Sequence, residues 1–254
     1  VKTHIFNALN LLFPDGERYF VKAVIDHVSQ IDDPALLREV RAFAGQEGQH
    51  AHQHERFFAV MKQQGYHFGR FVRAFRDQCR WSSKTIPAAL RLSITAGSEH
   101  YTAAMAASVL ELGLLHSCDA TMRNLITWHA VEEIEHKHVA YDVLAKLHPN
   151  NYPLRVLGFA LASASIFGQS AYALDMLLTQ DKAAGRVTQG QILRSTWSML
   201  RGEERRFFVH LFRAMGRYLV PGFHPNQKDD RALLDRFAPQ IPLAAPAARA
   251  AELQ

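Results

Sequence analysis

Between Trp128 and His138 the chain reads WHAVEEIEHKH, and the spacing of its ionisable residues restricts what the segment can become. Its flanks carry apolar residues with a period near 3.6, the pattern of a helix that commits one face to a core. At about 100° per residue, His129, Glu133 and His136 fall within one narrow sector. That sector is part of the stripe Met122, Leu125, Ala140, Val143 and Leu147. Glu132 lies at the sector's edge, while Glu135, Lys137 and His138 point away and are expected on a wet surface. A solvated helix spreads its charges around the circumference; this one aims three of them inward.

Three further stretches repeat the pattern. Around AFAGQEGQHAHQHERFFAVM, Val40, Phe43, Glu47, His50, His54, Phe58 and Met61 share a stripe, and Glu47 with His50 forms Glu-x-x-His, as Glu133 does with His136. In LRLSITAGSEHYTAAMAASVL, Glu99 sits on the face of Leu92, Ala96, Ala103, Ala106 and Leu110. In GERYFVKAVIDHV, Glu17 heads the series Val21, Val24 and Val28. One Glu on an apolar stripe ordinarily reaches solvent or pairs with Arg, and a lone His ordinarily packs in a core with a hydrogen bond. Four inward carboxylates together are a different matter, because each buried charge is costly unless a cation compensates it. Glu from each of two helices and Glu-x-x-His from each of two others is the ligand pattern of ferritin-like dinuclear carboxylate proteins.

The expected ligands are therefore Glu17, Glu47, His50, Glu99, Glu133 and His136, with His129 as a seventh, around two divalent metal ions. Carboxylate and imidazole donors suit iron, with manganese or zinc as alternatives. His54 and Glu132 are expected to hold the far ring nitrogens of ligand histidines. Trp128, Tyr101 and Tyr19 lie near these positions and are read as packing residues.

The whole chain reads as all-α: helices from Pro14 to about Ser29, from Asp33-Pro34 to about Gln64, from Pro87 to near Gly113, and from Ser117 or Asp119 to His148-Pro149. A brief helix is expected in FVRAFRDQCRW, a small-residue helix beyond Pro153, another from about Gln189 to Val220, and a short one in DDRALLDRF. No repeat or Gly-rich linker divides the chain, so one domain is expected, with a metal-binding bundle over about 12–148, C-terminal helices over about 152–238 and a loose tail at 239–254. Val156 to Leu174 carries no charge over nineteen residues, close to a bilayer span, but its Ser163, Ser165, Gln169 and Ser170 favour burial in a helical protein or at a homodimer interface over a membrane.

With 254 residues and 48% hydrophobic content the chain can fill a substantial core. The net charge of +5 is spread without an Arg-rich arm, which argues against nucleic acid. Cys79 and Cys118 form no CxxC pair, which argues against a disulfide framework or a thiolate zinc site and favours a cytoplasmic setting. VKTHIFNALNLLF lacks the layout of a signal peptide.

PDGERYF, the EGQH of QEGQHAHQHE, SEHYTA and WHAVEEIEHKHVAYDV, spread over most of residues 14–145, resemble the bacterial proteins called predicted metal-dependent hydrolases, built on a ferritin-like helical core. The triplet His129, Glu133, His136 is similar to the final helix of p-aminobenzoate N-oxygenase type diiron enzymes, in which a third His joins the usual two. The first resemblance implies hydrolysis of an acyl compound (ester, thioester or amide) by a metal-bound hydroxide. The second implies dioxygen activation at a diiron site, and a non-catalytic iron-binding protein is the third reading. The longer resemblance favours hydrolysis. The apolar C-terminal helices are expected to roof a pocket for a small apolar acyl or aromatic substrate.

Overall fold

Proline and short polar side chains set the helix starts. Asp33 accepts hydrogen bonds from the N–H groups of Ala35 and Leu36 ahead of Pro34, Asp119 accepts from Met122, and Asn151 accepts from Leu154. The computed structural model describes residues 1–202 and 204–241. Their elements are α1 (Lys2–Asn10), α2 (Phe13–Ile25), α3 (Pro34–Gln63), α4 (Gly69–Thr85), α5 (Ala88–Glu111), α6 (Ala120–His136), α7 (Val139–Leu147), α8 (Tyr152–Ala183), α9 (Gln189–Arg201), α10 (Arg205–Tyr218) and α11 (Arg231–Phe237). Short 3-10 turns occupy Val28–Gln30, Pro225–Gln227 and Ala238–Gln240, and no strand occurs among the described residues. The protein is all-α.

Several elements differ from the sequence reading. α1 was not expected as a helix, because the residues it buries include His4, Asn7 and Asn10, which blur its apolar period. The first expected helix stops at Ile25 and continues only as the 3-10 turn. The brief helix around FVRAFRDQCRW extends to the seventeen residues of α4. The helix expected from Gln189 to Val220 divides at Gly202 into α9 and α10. The helix expected to run to His148 is broken at Lys137–His138, although its stripe continues in buried Ala140 and Val143. Lys137 itself, expected on a wet surface, is buried. The break turns it toward the segment after Pro225–Gln227, where its ammonium donates to Asp230 Oδ2 at 2.7 Å and to the Lys228 carbonyl at 2.8 Å. The loose tail falls largely on 242–254, outside the described residues.

The four helices that carry the inward carboxylates enclose one interior: α2 packs on α3, α5 on α6, and contacts of α2 with α5 and of α3 with α6 close the ring. α8 lies along α5 at very close range. A Cβ added at Gly158 would stand 2.1 Å from Ser93 Oγ and 2.6 Å from the Ser93 carbonyl carbon, so no rotamer change relieves it. Ser93 Oγ also donates to the Leu154 carbonyl at 2.8 Å, tying the two helices at the crossing. By length and composition α8 is the one helix among the described residues apolar enough to cross a membrane. Only 22% of its apolar window is buried, so the burial expected of this segment is confined to one face. Leu157, Leu161, Phe167 and Tyr172 are exposed on the other.

Gly158→Ala is expected to destabilise the fold by about 1–3 kcal/mol through overpacking, exceeding the ~1 kcal/mol by which Ala ordinarily favours a helix over Gly. Chemical denaturation measures this, and a variant as stable as the parent would show that the α5–α8 crossing opens freely.

Candidate metal centre

Each inward position named from the sequence is buried: Glu17 on α2, Glu47, His50 and His54 on α3, Glu99 on α5, and His129, Glu133 and His136 on α6. They converge in two groups. Glu17, His50 and His129 each present one donor atom within 4.8 Å of the others, and Glu47, Glu99, Glu133 and His136 do the same.

The hydrogen-bond inventory of this interior is incomplete in a particular way. Both carboxylate oxygens of Glu17, Glu47 and Glu99, Oε2 of Glu133, Nδ1 of His50 and Nε2 of His136 are buried without a hydrogen-bond partner. They are not remote from one another. His136 Nε2 lies 3.0 Å from Glu47 Oε1 and 3.4 Å from Glu99 Oε2, and His50 Nδ1 lies 3.7 Å from both Glu47 Oε2 and Glu133 Oε1. The atoms are close but misaligned for mutual hydrogen bonds, as donors aimed at a common point are. Buried polar atoms are nearly always paired in native proteins, so a concentration of unpaired ones calls for an ion.

The outer ring nitrogens tell which lone pairs face inward. His50 Nε2 sits 2.9 Å from Glu132 Oε2, and His136 Nδ1 sits 3.0 Å from Gln46 Oε1. Both partners are acceptors, so the outer nitrogen carries the proton and the inner one can present a lone pair. A two-step relay does the same for His129. Asn10 Oδ1 accepts from His54 Nδ1 at 2.6 Å, and burial, with neighbouring His129 and His50, holds the His54 pKa well below the ordinary value. A neutral His54 then accepts at Nε2 from His129 Nδ1, 2.6 Å away. His129 Nε2 faces the interior at 2.9 Å from Glu133 Oε1, a contact that helps to hold the Glu133 carboxyl well below its ordinary value. The His129 ring stacks on His50 at 4.2 Å, and Phe13 covers His54 and His129 at 4.8 and 4.9 Å.

Glu132 and His54 thus stand where the sequence reading put them, against the outer nitrogens. Gln46 and Asn10 were not anticipated. Gln46 is the immediate neighbour of Glu47, but an uncharged amide beside a stripe carries no signal of its own, and Asn10 belongs to the unassigned α1. Of the three aromatics read as packing, Trp128 meets the His50 ring edge-on, Tyr101 stacks on Phe159, and Tyr19 accepts from Ser82 at 3.0 Å. A third group among the described residues, Glu39, His138 and Asp142, lies nearer the surface, and its Asp142 is engaged by His224 at 2.7 Å.

Charges in this interior are strongly interdependent. Burial, then the charge of Glu47, pushes the Glu17 carboxyl well above the usual range and raises Glu99 to about 8. Burial would also raise Glu133, but His129 and His136 prevail and hold it well below. Burial and Glu133 raise Glu47, and His136 with His50 bring it below its ordinary value. Burial opposes charge on His50, yet Glu132 and Glu47 raise it to about 10. His136 is raised well above its ordinary value against the same burial, through Glu133, Glu47 and Glu99. Burial and the His50 charge lower His129.

A helical interior that gathers buried carboxylates and imidazoles with their free donor atoms converging defines a divalent-metal-binding protein. The chain belongs to the family of predicted metal-dependent hydrolases, whose pattern it matches over residues 1–229. No curated protein and no solved structure matches it.

With Glu99 titrating near 8 and His50 near 10, both hold protons at neutral pH, and a cation must displace them. Manganese(II) added to the metal-free protein in weakly buffered solution is expected to release protons, and its affinity is expected to rise between about pH 6 and 9. Binding without proton release would contradict the protonation scheme above.

Proposed function

We propose that this protein is a hydrolase of acyl compounds with a dinuclear, iron-containing centre on a single-domain ferritin-like core. Glu17, His50 and His129 would hold one ion, and Glu47, Glu99, Glu133 and His136 the other. The observation that carries this reading is the division of seven buried donors into two convergent groups with most of the carboxylate oxygens unpaired. Four carboxylates carry the charge that two divalent ions neutralise. The donor set contains no thiolate, which suits iron or manganese. Bound there, divalent ions supply Lewis acidity and a water ionised near neutral pH.

The chain's own residues do the rest. Glu132, Gln46 and the His54–Asn10 pair fix the orientation of three imidazoles. Phe13 packs against the His129 ring. Glu17 borders an apolar cavity and presents the centre to whatever enters it. A second reading, dioxygen activation, draws on His129, whose inward nitrogen supplies the third imidazole of the N-oxygenase pattern.

The double variant Glu47→Ala/Glu133→Ala is expected to lose bound metal while its circular dichroism stays helical; unchanged metal stoichiometry would remove the ligand assignment. For the reaction, cleavage of an ester, thioester or amide is expected without dioxygen, with the new oxygen of the acid drawn from heavy-oxygen water. Label arriving from dioxygen, or a need for reductant and air, would establish the second reading instead.

A further inference from the structure

The larger of two cavities beside the centre has a volume of about 280 Å³ and lies among α2, α4, α5 and α8. Its inner end is Glu17, the one charged side chain in its lining. The polar groups that line it are largely engaged elsewhere: Ser82 donates to Tyr19 at 3.0 Å, and Gln78 is joined to Ser165 and Gln169. Burial and Asp15 push the Cys79 thiol up to about 12, so it stays neutral. Apart from Glu17 the lining carries no charged side chain, and none is basic. At the outer end stand Trp81 and Leu161, 61% and 39% exposed, the latter on the uncharged outward face of α8.

Resting on the hydrolase reading above, we propose that this chamber binds the hydrocarbon tail of the substrate, a single unbranched chain of medium length whose acyl carbon lies at the Glu17 end. Size supports it: an apolar cavity of about 150 Å³ holds benzene, and this one is nearly twice as large, room for roughly eight to twelve carbons. A second cavity of about 80 Å³, reaching His54 and His129, shares Leu9, Phe13, Thr102 and Met105 with the first. The two cavities therefore adjoin at Phe13 and Met105. The apolar walls are both aliphatic and aromatic, with Leu12, Ile86, Ile94 and Ile166 standing beside Phe20 and Phe75.

Calorimetry on the manganese-loaded full chain tests this with butanoic, decanoic, tetradecanoic and naphthalene-2-carboxylic acids as probes, each a carboxylic acid of the product class. Decanoate is expected to bind about 100-fold or more tighter than butanoate, the six added methylenes each contributing. Ser165→Phe and Leu161→Trp, at partly exposed positions of the mouth, are expected to abolish that preference while metal content and butanoate affinity stay as in the parent. Ile166→Ala, which enlarges the chamber, is expected to move the optimum to a longer chain, and it carries the test if the bulky variants fold poorly. Equal affinities for butanoate and decanoate, tighter binding of the naphthalene acid, or a preference indifferent to all three substitutions would overturn the proposal. Binding is read without turnover, so the two readings fail separately. Label from dioxygen with the chain preference intact removes hydrolysis alone, and label from water with no chain preference removes the chamber alone.

Discussion

Four carboxylates share an interior from which the surrounding apolar stripes exclude the water that would screen them. Glu17, Glu47, Glu99 and Glu133 are all buried, and their mutual repulsion grows as the local dielectric falls. The pKa directions are its local record: Glu17 and Glu99 are driven toward the neutral acid, while Glu47 and Glu133 stay charged only beside His136, His50 and His129. Two imidazoles, His50 and His136, can relieve part of the charge by taking up protons. Divalent ions relieve all of it and also occupy the oxygen atoms that no proton donor reaches.

The orientation of the imidazoles extends this constraint outward through the fold. Each inner lone pair depends on an acceptor behind it, and those acceptors come from different elements: Glu132 from α6, Gln46 from α3, and Asn10 from α1 by way of His54. This explains why a helix as polar as α1 is packed inside. Its buried Asn10 serves the centre, and its buried His4 is fastened to Asp181 of α8 at 2.6 Å. The break after His136 has a similar logic. His136 is the last residue of α6, and Lys137 immediately turns to Asp230, so the C-terminal segment is anchored where the final imidazole leaves the helix.

The all-α class, the helices bearing the ionisable stripes and the inward position of every proposed ligand were legible in the sequence, because helical periodicity converts spacing directly into facing. Glu132 and His54 were legible as stripe-edge and stripe residues, although the rings they meet, His50 and His129, lie on other helices. What periodicity could not show was anything set by tertiary contact. Gln46 and Asn10 matter only because particular rings come to rest beside them. The break at Lys137 depends on a carboxylate ninety-three positions away. The division of the Gln189–Val220 segment had a local cue in Gly202, where the α9 C-cap is extended and an added Cβ would meet the Ser198 carbonyl oxygen at 2.8 Å.

The apolar chamber and the charged centre reinforce each other. Were the chamber polar, water would enter beside Glu17, screen the carboxylates and weaken the demand for a cation. Its lining instead keeps Glu17 dry, and burial is the largest reason that this carboxyl resists ionisation. A hydrocarbon chain seated there would displace water from beside Glu17, strengthening the electrostatic interactions at the centre as it binds. On the proposed reading, the apolar walls that would hold the chain would also set the electrostatics under which an acyl group is presented. This coupling explains why a chamber so poor in polar groups ends on a glutamate and not on another leucine.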